Sequence, residues 1–136
     1  MKIKHVIARE IYNSRGLPTV ECELILSNDM RVRAAAPSGL SVGKNESAVL
    51  LDRGSRLMGY GVLKAVETIE TKIASLLVGR EPNVVELDTE MIELDGTENK
   101  SVLGANAMIA VSLAVCKAQA LCEEIELYEL IAYLCG

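Results

Sequence analysis

The sequence has no phenylalanine and no tryptophan, and four tyrosines supply all of its aromatic content. That scarcity argues against a nucleic-acid surface built on aromatic stacking. Basic residues are also outnumbered, with 14 Lys+Arg against 19 Asp+Glu and a net charge of -5, which disfavours a polyanionic partner. His5 is the single histidine. It falls inside a predicted strand, so a Cys–His or Ser–His catalytic pair has no ready second member. Cys22, Cys116, Cys122 and Cys135 show no C-x-x-C spacing, so they read as reduced thiols rather than metal ligands. No uncharged run reaches the ~20 residues of a membrane span. The longest, between Lys100 and Lys117, is interrupted by Gly104, Asn106 and Ser112. Met1–Glu10 carries charges throughout and lacks a signal-peptide core. The expectation is a cytoplasmic protein with no nucleic-acid partner and no membrane.

What is present is aliphatic. Half of the 136 residues are hydrophobic, drawn from Ala, Val, Ile, Leu and Met. That suffices for residues 1–136 to form one domain with its own core. The mean hydropathy of +0.26 is high for a small protein and implies either a sticky surface or one that something else covers in part.

The first third reads as strands. In Thr19–Leu26, residues Val20, Cys22, Leu24 and Leu26 share one face, and Thr19, Glu21 and Glu23 the other, the mark of a half-buried strand. Ile3–Tyr12 alternates with Ile3, Ile7 and Ile11 in phase, and Met30–Ala36 is a third strand with Arg31 and Arg33 pointing one way. The links 13–18 and 27–29 are short and turn-like, which favours an antiparallel meander. The remainder reads as helices. Val62, Val66, Ile69, Ile73 and Leu76 follow helical spacing up to a stop at Gly79. Asn83–Glu86 predicts a capping box leading into Leu87, Met91 and Leu94 on one face. Residues 105–122 are apolar all round and predict an enclosed helix, and a short helix near Leu127–Leu134 closes the chain. The expected class is α+β: a three-stranded antiparallel meander followed by a bundle of about four helices.

Pro37–Gly61 has no clear period and carries Gly39, Gly43, Gly54, Gly59 and Gly61. A connection this long is a lid, a binding loop or a floppy link. Gly39–Lys44 invites a phosphate-loop reading. It fails, because three residues rather than four separate the glycines and Asn45 follows the lysine. Glu86, Glu90 and Glu93 recur at helical spacing as a solvated face, and Asp95–Lys100 reads as turn chemistry.

Several stretches carry a resemblance. Ala8–Glu21, Pro37–Gly43, Gly61–Val66, Glu93–Ser101 and Gly104–Val115 resemble, in order, the N-terminal domain of the enolase (phosphopyruvate hydratase) family. The resemblance implies glycolytic dehydration of 2-phosphoglycerate to phosphoenolpyruvate, a lyase reaction, in a complete enzyme. The catalytic lysine, the catalytic glutamate and the first Mg²⁺ site would lie in a barrel domain absent from this chain. It implies a lid loop at Ser38, Gly39, Leu40, Ser41, Val42 and Gly43, with Ser41 as a ligand of the second Mg²⁺ once the barrel is present. It also implies a dimer interface at Arg9 and Glu21, hence a homo-oligomer. The barrel would join in cis or in trans, and the isolated domain would be inactive and bind no cofactor. Leu40 and Val42 stand where the family has Ala and Thr, and Val49–Gly54 departs from its pattern. With the scaffold motifs kept and the loop drifted, the alternative is a stand-alone enolase-like binding or regulatory module.

Overall fold

A computed structural model describes residues 1–38 and 43–136. Strands β1 (Ile3–Tyr12), β2 (Pro18–Leu26) and β3 (Arg31–Ala35) form an antiparallel sheet in the order β1-β2-β3, the meander that the short links predict. Asn13 builds the first turn, its Oδ1 accepting from Arg15 N (2.9 Å) and Leu17 N (3.1 Å). In the second, Asn28 Oδ1 accepts from Met30 N at 3.2 Å.

The core face of β2 is as read: Val20, Cys22, Leu24 and Leu26 are all solvent-free. β1 differs. A bulge between Ile3 and His5 shifts the register, so Ile3 pairs with Leu26 while Ile7 and Ile11 pair with Glu23 and Thr19 on the opposite face. Ile3, Ile7 and Ile11 therefore do not share a face; the core side of β1 continues through Val6 and Ala8.

Four helices follow. α1 is a composite of Leu63–Thr68, a π-helical turn Ile69–Ile73 and Ala74–Leu77. Ala65, Ile69, Ile73 and Leu77 make its buried line. A strict spacing of four drifts around a 3.6-residue helix, and the wider π turn offsets the drift. Leu77 thus takes the deep position and Leu76 sits beside it. Gly79 (φ +87°) ends the helix and donates to Ile3 O at 2.8 Å, tying it to β1.

α2 spans Val84–Asp95. Asn83 Oδ1 caps it by accepting from Glu86 N (3.2 Å), but Glu86 pairs with Arg80 instead of returning to the cap, so the box is half made. The one reciprocal box is on α4 (Leu127–Cys135), between Glu126 and Glu129. Leu87 and Met91 are buried as expected, whereas Leu94 is exposed and Asp95 takes the inner place.

α3 (Ala105–Glu123) crosses the sheet and touches β2, β3 and the other helices. Its inner face is mostly alanine (Ala107, Ala110, Ala114, Ala118), which lets the backbone lie close to β2. By length and composition this helix is apolar enough to cross a membrane. Here its inner apolar residues build the core, while Ile109, Leu113 and Leu121 stay part-exposed.

Candidate functional site

The glycine-rich connection is not one long loose loop. Ala36 is held at both backbone groups: its N donates to Val20 O (2.9 Å), and its O accepts from Thr19 Oγ1 (2.7 Å). Ser38 O accepts from Arg15 Nη2 at 3.2 Å. On the return, Ala48 N donates to Asn99 O (2.7 Å) and Ala48 O accepts from Ala105 N (2.8 Å). Asn106 then holds Leu50. Both stems, through Pro37, Ser38, Ser47 and Val49, line one groove of about 480 Å³ that Tyr60 and Ile109 complete. Val49, Tyr60 and Ile109 are part-exposed there, the kind of apolar ground that the hydropathy implied.

Carboxylates fix the floor of α1. Asp52 accepts from Leu63 N (3.0 Å) and Lys64 N (2.8 Å), capping the helix from eleven residues upstream. Glu10, on β1, accepts from Val62 N (2.7 Å) and from Arg56 Nη1 (3.0 Å). The Arg56 guanidinium and, after the opposing cost of burial, the Val62 amide hold the Glu10 carboxyl below its ordinary value. Neither role was readable from local sequence, because helix-cap signals are sought beside the helix.

On the outer face of the sheet, Glu23 is fully covered by arginines. Arg9 bonds it from β1, and Arg31 (3.2 Å) and Arg33 (3.4 Å) from β3. Arg9 also reaches Glu21 at 3.1 Å. β2 is therefore buried on both faces at Glu23, not half-buried. Alternation records polarity, and a carboxylate roofed by guanidinium stems is polar and buried at once.

A second, smaller groove of about 220 Å³ runs between α2 and α3 and is lined by Met91, Ile92, Met108 and Ile109. Asp88 Oδ2 accepts from Ser112 Oγ there at 2.7 Å. Its Oδ1 is the one buried side-chain oxygen or nitrogen among the described residues without a hydrogen-bond partner. Burial pushes the Asp88 carboxyl above its ordinary value, and the Ser112 hydroxyl only partly opposes this. A raised carboxyl favours the protonated fold, so this group's contribution is best in acid and declines as pH rises through its unfolded value toward the folded one. Asp88→Asn removes the charge and keeps the Ser112 bond. At pH 7 it should be as stable as the parent or better by roughly 1 kcal/mol, with the gap closing in acid. Melting curves at several pH values check this, and a variant less stable at neutral pH would refute it.

The model for the enolase N-terminal domain matches residues 3–131. The chain belongs to the enolase N-terminal domain family. The enolase of Elusimicrobium minutum (strain Pei191) is 51% identical over 131 residues, 96% of this chain and 31% of the relative. That of Streptococcus thermophilus is 51% identical over 127 residues, 93% of this chain and 30% of the relative. That of Ehrlichia chaffeensis (strain ATCC CRL-10679 / Arkansas) is 46% identical over 129 residues, 93% and 31%. The chain thus spans about a third of the length of the curated enolases it matches.

Of the loop residues read from the sequence, Ser38 and Gly43 sit on the two exposed stems; Gly39, Leu40, Ser41 and Val42 lie outside the described residues. Arg9 and Glu21 are brought together, on the sheet face remote from the core. Among the described residues, no three His, Cys, Asp or Glu side chains gather closely enough to hold a metal.

Proposed function

We propose that this domain acts as the N-terminal part of an enolase. Joined by the remainder of such an enzyme, in cis or in trans, it takes part in dehydrating 2-phosphoglycerate to phosphoenolpyruvate. The Ser38–Gly43 loop is its contribution to the substrate site, with Ser41 offering one oxygen to the second Mg²⁺. Arg9 and Glu21 contribute to a homo-oligomer contact, and the protein works in the cytosol. The observation that carries this reading is the pair of stems. Ala36 and Ala48 are each fixed at both backbone groups, and the chain between them leaves and returns at one groove. Such an arrangement presents a loop outward from a rigid scaffold.

The test is a chimera in which this chain replaces the matching third of the Elusimicrobium minutum enolase. The chimera should form phosphoenolpyruvate with Mg²⁺, the chain alone should not, and Ser41→Ala in the chimera should raise the Mg²⁺ concentration needed for half-maximal rate. A folded chimera without turnover would favour the rival reading, a binding or regulatory module.

A further inference from the structure

We infer that Asn106 is the positioning residue of the returning stem: it sets where residues 48–50 lie on the domain, and hence where the loop ends. The functional half of this inference rests on the reading of the loop proposed above. It concerns a fixed anchor and requires no movement.

Asn106 occupies the first turn of α3, where a side chain normally meets solvent or caps its own helix. It does neither. Its Oδ1 accepts from Leu50 N (2.9 Å) and its Nδ2 donates to Leu50 O (3.1 Å), so one amide satisfies both backbone groups of a residue 56 positions away. The pairing copies one rung of an antiparallel ladder with a side chain in place of the second strand. Only a primary amide offers a donor and an acceptor side by side at that reach. Asn106 is only 8% exposed, so its amide depends on Leu50 more than on water for its partners.

The surroundings are shaped to the same contact. Gly104 has φ +88°, and a Cβ there would collide with Leu50 Cβ and press on Asn106 Oδ1. The Ala48 bonds to Asn99 O and from Ala105 N lie two residues before Leu50. Residues 48–50 are therefore laid against the 104–106 turn by three backbone groups and one side chain, with glycine opening the space. Ser47 and Val49 line the groove that the stems border, and Asn106 lines it with them. A slip of the stem by one residue would exchange the side chains presented there.

The experiment has two arms. In this chain, Asn106→Leu removes both bonds at similar volume. The Leu50 amide should exchange with solvent about tenfold faster, the factor for one buried hydrogen bond. Amides of Thr19–Leu26 should be unaffected. Gly104→Ala keeps the Asn106 amide but drives Leu50 away from it, and should have the same effect, which covers the case in which the leucine variant fails to fold. In the chimera, both variants should raise the Mg²⁺ concentration for half-maximal rate by about the same factor while the folded fraction holds; a merely structural role would lower the active fraction instead. Unchanged Leu50 protection in both variants overturns the inference. So does an unchanged Mg²⁺ requirement when Ser41→Ala raises it. If Ser41→Ala also has no effect, the loop reading falls and takes the functional half with it, while the exchange data still decide the anchor.

Discussion

Asp95→Ala should destabilise the domain by about 3 kcal/mol or more, the cost of stranding several buried donors at once. Asp95 is 4% exposed and terminates α2. Its Oδ1 accepts from Thr97 N (3.0 Å) and from the Thr97 hydroxyl; its Oδ2 accepts from Val102 N (3.1 Å) and Leu103 N (2.7 Å). One carboxylate thus organises the whole connection between α2 and α3, including Leu103, which is itself buried in the core. The same loop carries Asn99, whose carbonyl receives Ala48 N, so its loss reaches the returning stem. Burial alone would push the Asp95 carboxyl up, but the Leu103, Thr97 and Val102 bonds outweigh it and hold it below the ordinary value. A depressed carboxyl contributes stability above its unfolded value and loses it as pH falls through the folded one. Acid should therefore loosen this loop, and Asp95→Asn should lose part of that acid dependence along with some stability at pH 7. Urea denaturation at neutral and acid pH measures both. An alanine variant within about 1 kcal/mol of the parent would show that water replaces the carboxylate.

Much of the scaffold was legible, for identifiable reasons. Val20–Leu24 alternates without interruption, and nothing tertiary competes with that pattern on its core face. The run 105–122, apolar all round, predicts an enclosed helix, and the short turn-like links predict a meander. The errors share a cause. The phase of Ile3, Ile7 and Ile11 failed at a bulge, which is a property of the pairing rather than of β1's own residues. Leu94 was placed inward by periodicity, but Asp95 has four donors to satisfy and Leu94 has none, so hydrogen bonding set the rotation at the helix end. Leu76 yielded to Leu77 because a π turn rewrote the period. The candidate site was less legible still. Its returning stem is held by Asn106 and the start of α1 by Asp52 and Glu10, and each acts on a residue remote in the chain. No local spacing encodes such pairs. The fold shows what holds the two stems, and no motif in the sequence names those partners.

Glu23→Lys should cost about 3 kcal/mol, because it turns one anion under three cations into a fourth cation. Glu23 lies at the centre of β2, paired across to Ile7 and Arg33, and its side chain has no exposure. Arg9, Arg31 and Arg33 converge on its two oxygens. The Arg9 bond, with Arg31 and Arg33 adding to it against burial, holds the Glu23 carboxyl below the ordinary range. Its contribution is therefore complete above the unfolded value and lost as pH falls through the folded one. Neighbouring Glu21 is a different case. It is partly exposed and has Arg9 as its one ion-pair partner among the described residues, so Glu21→Lys should cost less than about 1 kcal/mol. That difference separates what the sheet face does for folding from what it does for association. If Arg9 and Glu21 also meet a second chain, as proposed, Glu21→Lys weakens self-association while leaving the melting temperature nearly unchanged, and Glu23→Lys lowers the melting temperature at every protein concentration. Sedimentation across a concentration series, beside melting curves of the same samples, reads both. Equal destabilisation by the two variants would mean that Glu21 is as much a part of the fold as Glu23, and the contact role assigned to it would fail.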